Sequence, residues 1–247
     1  MALTQENKLI SVSVEGQKEN DLLLQTVMGM ESISRPFLFQ LDVLSPLTDL
    51  DFSTLLGRRA CVILQTIQTH APRYFNGFIS RFVQVDSVSG LNHYRVDVVP
   101  WIWFLGLEVD CRIFHNMRIP EIVAKVLKDF PGAQKDSFQN EFKVEDYPKL
   151  EYCVQYRESS LAFISRLMEH AGIFYYFTHT NSSHVLHMCD DNSQCRKVPK
   201  PVDLLPEGAG IAARDALPII SAAWTSSSST SWAICPSPRP AATCCSI

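Results

Sequence analysis

Residues 152–177, YCVQYRESSLAFISRLMEHAGIFYYF, read as a short strand, a capped amphipathic helix, a glycine stop and a second strand in one run. Ser159 or Ser160 supplies an N-cap hydroxyl to an otherwise unpaired N–H of the first turn. Glu158 places negative charge beside the positive end of the helix dipole. Leu161, Ile164, Leu167, Met168 and Ala171 recur at three- and four-residue spacing, so one apolar stripe faces a core. Gly172 closes the helix, because it adopts the left-handed conformation at little cost. The β-branched and aromatic run 173–177 then reads as strand. This unit is a fold nucleus, and it carries no obvious chemistry.

Upstream of it the texture is all β. Residues 8–14 alternate apolar with polar and break at Glu15-Gly16, and 22–28 (LLLQTVM) form a second strand. Arg35-Pro36 forces an extended entry into 37–44, FLFQLDVL. One short helical turn over 49–56 ends at Gly57, and 60–68 (ACVILQTIQ) is again strand. Asn76-Gly77 supplies turn chemistry inside RYFNGFISRFVQVDS, and residues 89–92 make the next turn before HYRVDVVP at 93–100. Short strands with regular turn signals predict a small barrel or sandwich. Beyond an aromatic stretch at 101–107, Pro120 at a first helical position opens a helix over 121–130, which Pro131-Gly132 stops. Residues up to 150 look polar and loop-rich, and 184–189 return as the hairpin partner of 173–177. The predicted fold is α+β and mainly antiparallel: a β-barrel domain over 1–107, an α+β domain over 108–204, and an irregular tail over 205–247.

The totals bound the function class. A chain of 247 residues with 46% hydrophobic and 19% charged residues is ordinary globular material. Its net charge of −4 gives no support to a nucleic-acid or anionic-membrane partner. There is no apolar run long enough for a membrane span and no signal peptide, which predicts cytoplasmic assembly. Of eight cysteines, Cys235, Cys244 and Cys245 fall in the tail and the rest are scattered singly, as in a reduced chain.

Four groups of side chains are candidates for chemistry. His184, His187 and Cys189, with Cys195 beyond, have the residue types of a zinc site. On an alternating strand, however, His184 and His187 face opposite ways, so the expected role is structural. Cys111 and His115 suggest a thiolate–imidazole pair, but no orienting third group accompanies them. Asp190-Asp191 with Asp86 or Asp110 imitate a carboxylate pair, whereas aspartates at strand ends usually cap turns. Trp101, Trp103 and Phe104 fit an interface or a core better than a ligand platform. No phosphate loop, dinucleotide fingerprint, nucleophile elbow or HExxH stretch is present. The expectation is no catalytic, cofactor-binding or metal residue. A small metal-dependent hydrolase using His184, His187 and Cys189 is the weakest alternative, and a stand-alone protein-binding module is the stronger one.

Taken together, ESISRPFLFQLDVLS (31–45), RYFNGFISRF (73–82), YRVDVVPWIWFL (94–105), RIFHNMRIPEIV (112–123) and EYCVQYRESSLAFISRLMEHAGIFYYF (151–177) resemble, in order, the N-terminal, phage-tail-hub-like region of VgrG. VgrG is the spike-tip protein of bacterial type VI secretion, and the resemblance covers roughly residues 5–200. It implies a non-enzymatic homotrimeric hub that docks on the hexameric Hcp tube, meets baseplate proteins and effectors, and is exported through the secretion machine. It also implies a second barrel, a linker barrel and a needle, none of which follows in these residues. The expectation is therefore a truncation or change of reading frame near residue 205. Such a piece alone is expected to be monomeric or to aggregate.

Overall fold

In the computed structural model, residues 4–6, 8–47, 50–65, 72–88, 90–130 and 137–194 are described. The first six strands are β1 (Ile10–Val14), β2 (Leu23–Ser32), β3 (Arg35–Ser45), β4 (Arg59–Leu64), β5 (Arg73–Val88) and β6 (Leu91–Val99), with the alternation of buried and more exposed positions clearest in β1 and β3. In β3 every second residue from Phe37 to Ser45 is buried, which is the period-2 signature of one wet and one dry face. These strands form one antiparallel sheet in the order β1-β4-β5-β6-β3-β2. The sheet curls until its two ends meet at Gln5, a buried side chain between them. Its Oε1 accepts from the Val12 amide of β1 (2.9 Å) and the Leu24 amide of β2 (3.2 Å), and its Nε2 donates to the Val12 carbonyl. One amide thus satisfies backbone groups of both edge strands where the barrel fails to close by strand pairing. A short helix, α1 (Phe52–Leu55), is capped by Asp51 and drops Leu55 into the barrel.

The remaining elements build a second core. A two-turn 3-10 helix at Trp101–Gly106 leads into β7 (Val109–Arg118) and α2 (Ile119–Asp129). Then come β8 (Phe138–Asn140), β9 (Lys149–Ser159), α3 (Ser160–Ala171), β10 (Phe174–His179) and β11 (His184–Cys189). β7 and β9 pair as a two-stranded antiparallel ribbon, and β10-β11-β8 form a small sheet in which β8 runs parallel to β11. Ile122, Val126 and Leu127 of α2 and Phe163, Ile164 and Leu167 of α3 pack between them. The α3 cap falls on Ser159, whose hydroxyl accepts from the Ala162 amide at 3.2 Å, and Gly172 ends the helix at φ 72°. The buried face is centred on Phe163 and Ile164, with Leu161 only at its margin.

The architecture matches the expected α+β, mainly antiparallel barrel-plus-helices fold, and three local expectations change. Asn76-Gly77 makes no turn: β5 runs straight through it. A Cβ on Gly77 would lie 2.6 Å from Val98 Cγ1 and 2.8 Å from the Val99 carbonyl, so this glycine serves close strand approach. Residues 109–118 are a strand that the sequence reading left unassigned, because its apolar residues sit on both faces of an unevenly covered ribbon. The polar stretch before 150 contains β8 and the start of β9. Trp101 is core, only 3% exposed. Asp49, residues 66–68, Ser89, Pro131-Gly132, Cys195 and the tail over 205–247 lie outside the described residues.

Candidate assembly surface

The β7–β9 ribbon is dry on one side only. Directly opposed pairs share a face, and Phe114–Cys153 and Arg112–Gln155 point inward. Phe114 stacks on Phe163 of α3 with ring centroids 5.6 Å apart. Gln155 is fully buried; its Oε1 accepts from Arg112 Nε (2.9 Å) and its Nε2 donates to the Glu158 carbonyl (3.0 Å). Arg112 Nη2 also donates to Ser160 Oγ, so the helix start and the ribbon are held by one network. A bulge at the register step between Asp110 and Cys111 leaves Arg157 at φ 49°. The outward face presents Val109, Cys111, Ile113 and His115 beside Tyr152, Val154 and Tyr156. Tyr152 and Tyr156 are 64% and 66% exposed, Ile113 63% and Val109 65%. No lysine, arginine, aspartate or glutamate lies among those residues; Arg157 sits at the rim over the Tyr156 ring.

The residues singled out by sequence do not converge. His184 and His187 are both buried, on opposite faces of β11. The His184 Nε2 accepts from the Trp101 amide (3.1 Å) and its Nδ1 meets Asn76 Oδ1 (3.2 Å), which assigns the neutral ring with its proton on Nδ1. Burial, then the nearby His179 and Arg59, push its pKa down to about 3. His187 instead bonds Glu141 Oε1 through Nδ1 (2.9 Å) and Thr178 Oγ1 through Nε2 (2.8 Å). That carboxylate–imidazole–hydroxyl order imitates a nucleophile relay. Yet the ring is 1% exposed and Tyr176 stacks on it, so its bonds join β8, β10 and β11 rather than present a nucleophile. Cys189 is buried, Cys111 and His115 stand four apart on an exposed strand face, and Asp190 bonds the Tyr147 hydroxyl. Asp191 caps Ser193, Asp86 pairs with His93, and Asp110 pairs with Arg112. Trp103 and Phe104 are half-buried and meet edge to face. Among the described residues, no group of three or more His, Cys, Asp or Glu is placed to hold a metal.

Sequence reasoning also missed the joint between the two cores. Asn76, fully buried, donates from its amide N–H to His179 Nδ1 (3.1 Å) and from Nδ2 to the Asn181 carbonyl (3.3 Å). His179 Nε2 reaches Glu31 Oε1 at 2.9 Å, and Arg59 Nη1 donates to the Ser182 carbonyl. Phe37 meets Phe177, His179 and His184 with centroids 4.9–5.5 Å apart. The hairpin β10–β11 is thereby bolted onto β5 and β3 of the barrel. The signal was Asn76-Gly77 inside a strand, which reads as a turn until the partner is known.

This pairing of a curled six-stranded barrel with a helix-backed ribbon and hairpin defines a class, and the chain belongs to the phage tail baseplate hub (GPD) family, whose model matches residues 30–232. That match runs past residue 200, where the sequence reading ends the resemblance, and into the predicted irregular tail. Within the class, the chain is 37% identical over 190 residues to the type VI secretion system spike protein VgrG1b of Pseudomonas aeruginosa, covering 77% of this chain and 25% of that protein. It is 35% identical to VgrG1c of the same organism, over 77% of this chain and 25% of the relative. It is 28% identical over 201 residues to the actin cross-linking toxin VgrG1 of Vibrio cholerae, covering 78% of this chain and 18% of that protein. The chain therefore spans about a quarter of the length of the spike proteins it matches. Its fold is shared with the E. coli c3393 protein, a type VI secretion component similar to the T4 bacteriophage tail proteins gp27 and gp5. That likeness has a TM-score of 0.63 at 24% identity, covering 74% of this chain and 50% of that one. The fold is also shared with a Francisella PdpA–VgrG complex at a TM-score of 0.57 and 9% identity, over 74% and 31% of the two chains. No helix among the described residues is long and apolar enough to cross a membrane.

Proposed function

We propose that this chain is a structural, non-catalytic hub component of a type VI secretion spike. In that role it contributes to a homotrimer that docks on the Hcp tube and meets baseplate proteins and effectors. In the same reading it is assembled in the cytoplasm and exported through the machine, with residues 1–107 and 108–204 as two hub domains ahead of the segment 205–247. The observation that carries the reading is the match to VgrG spike proteins over 77% of this chain. Buried His184 and His187 are each taken up in structural hydrogen bonds, which suits a rigid scaffold rather than an enzyme.

A chimaera tests it at full length. Residues 1–194 replace the corresponding region of Pseudomonas aeruginosa VgrG1b, and export of the spike and the tube protein is followed in a strain lacking other spikes. Export at parental levels is the expected result. A stable, soluble chimaera that exports neither protein would overturn the hub reading. It would favour a stand-alone protein-binding module, for which the exposed ribbon is the motivating feature.

A further inference from the structure

We infer that residues 203–207 of this chain, DLLPE, dock within the same molecule into a groove along α2. The inference goes beyond the hub reading and does not depend on it. A groove of about 430 Å³ lies between α2 and the segment 140–144. Pro120, Ala124 and Val144 give it an aliphatic lining, and the exposed Lys125 and Lys128 line it from α2. Its two carboxylates already have cationic partners. Glu121 lies 3.3 Å from the Arg118 guanidinium and accepts from the Arg118 amide, and Asp129 lies 3.8 Å from Arg112. Neither lysine has a carboxylate partner among the described residues; Lys125 only stands over the Phe114 ring, 5.7 Å from its centroid. The groove therefore sets two uncompensated positive charges beside aliphatic surface, which suits an acidic segment with an apolar centre.

Position and charge select the occupant. Asn140, at the groove, pairs with Met188 of β11, and the Glu141 amide donates to the Met188 carbonyl (2.9 Å). The last described residue, Gln194, follows shortly after, and its side chain bonds back to Asp190 through both its oxygen and its nitrogen. Asp190 in turn accepts from the Tyr147 hydroxyl (2.9 Å), close in sequence to Val144. Residues 195 onward thus start beside the groove. Residues 196–200, RKVPK, are basic and are repelled by Lys125 and Lys128. Side-chain carboxylates after Gln194 are Asp203, Glu207 and Asp215, and the first two bracket an apolar run, Leu204-Leu205-Pro206, that no cation interrupts. From Gln194, Asp203 is within a reach of about 30 Å. Pro206 biases Leu205 toward the extended form that lies along a groove. A tethered segment is held at high effective concentration, so modest exposed ion pairs favour it over an acidic peptide from solution. The family match continues through residue 232, which places residues 203–207 inside the unit the hub family shares.

Carbodiimide coupling, which joins a lysine amine to a carboxylate in contact, is applied to the full chain and read by peptide mass mapping. The expected product links Lys125 or Lys128 to Asp203 or Glu207, in a yield independent of protein concentration. Proteinase K cleavage after Leu204, normalised to the matching free peptide, should be slow in the parent. In Lys125→Glu/Lys128→Glu it should be roughly tenfold faster, the size expected of two exposed ion pairs. Asp203→Lys/Glu207→Lys, outside the two packed cores, should act alike, and the four substitutions combined should restore slow cleavage. Should the lysine variant unfold at a lower temperature than the parent, Lys125→Gln/Lys128→Gln takes its place with the same expected direction. Equal cleavage rates in parent and variants overturn the inference. A cross-link whose yield grows with concentration overturns it in favour of the segment of a second copy. Lysines that couple to neither carboxylate, yet are protected by an added acidic peptide, overturn it in favour of a separate partner. The chimaera takes only residues 1–194 from this chain, so it decides the hub reading separately.

Discussion

His184 has its imidazole closed off from water between Asn76 and the Trp101 amide, in a position only a neutral ring can fill. A second proton on Nε2 would point at the Trp101 N–H, with His179 and Arg59 adding repulsion. The folded pKa, down at about 3, lies below the unfolded value near 6.5. Between those values the unfolded chain binds more protons than the folded one. The His184 contribution is therefore complete above about pH 6.5 and lost as pH falls toward 3, at a slope of at most about 1.4 kcal/mol per pH unit. His184→Gln keeps a donor and an acceptor without the titration. Urea unfolding from pH 7 to 4 should show a shallower loss of stability in that variant than in the parent. Equal slopes would mean that His184 is hydrated or charged in the fold.

At the scale of elements, α3 is stabilised by its ends and by its buried face, and the two contribute unequally. Removing the cap with Ser159→Ala should cost about 1 kcal/mol, the usual loss of one N-cap bond. Leu167→Asp places a carboxylate in the second core at a site 4% exposed, with roughly 3–5 kcal/mol at stake for an uncompensated buried charge. Thermal unfolding should show a shift of a few degrees for the first variant and a soluble fold lost or nearly lost for the second. A folded Leu167→Asp protein with parental unfolding would refute the packing of this helix. The helix could be found from sequence because a capped, glycine-ended amphipathic run of 3.6-residue period carries its own boundaries. β7 could not, because Phe114 is its one fully buried apolar residue and its outward face is apolar without cover among the described residues.

For the whole molecule, the two cores are separate in sequence yet joined in space. The barrel core draws on residues between Ile10 and Val98, the second on residues between Trp101 and Met188, and Phe177 packs against both. The hairpin 174–189 covers Phe37, Asn76 and Phe78, so the barrel does not close its surface without it. Expressed alone, residues 1–107 should expose that seam and unfold at a lower temperature than 1–194, with 8-anilinonaphthalene-1-sulfonate binding. Residues 1–194 should unfold in one transition by calorimetry. Two transitions, with the first 107 residues melting unchanged on their own, would make the hairpin a passenger.

The chain by itself determined the elements whose signals are local: period-2 strands, the capped helix and the glycine that ends it. It also carried the hub resemblance, in segments whose order no single motif would show. Only the tertiary structure decided that Asn76-Gly77 lies within a strand, because the reason is the backbone of β6 pressing on Gly77 and His179 receiving the Asn76 amide. Likewise His184 and His187 look like ligands by residue type, and what assigns them to separate structural networks is the pleat of β11 together with Trp101, Thr178 and Glu141 brought from other elements. The exposed ribbon face has the same origin. Which side of a short strand pair is buried depends on the helix that covers it, and that is a long-range contact no local period encodes.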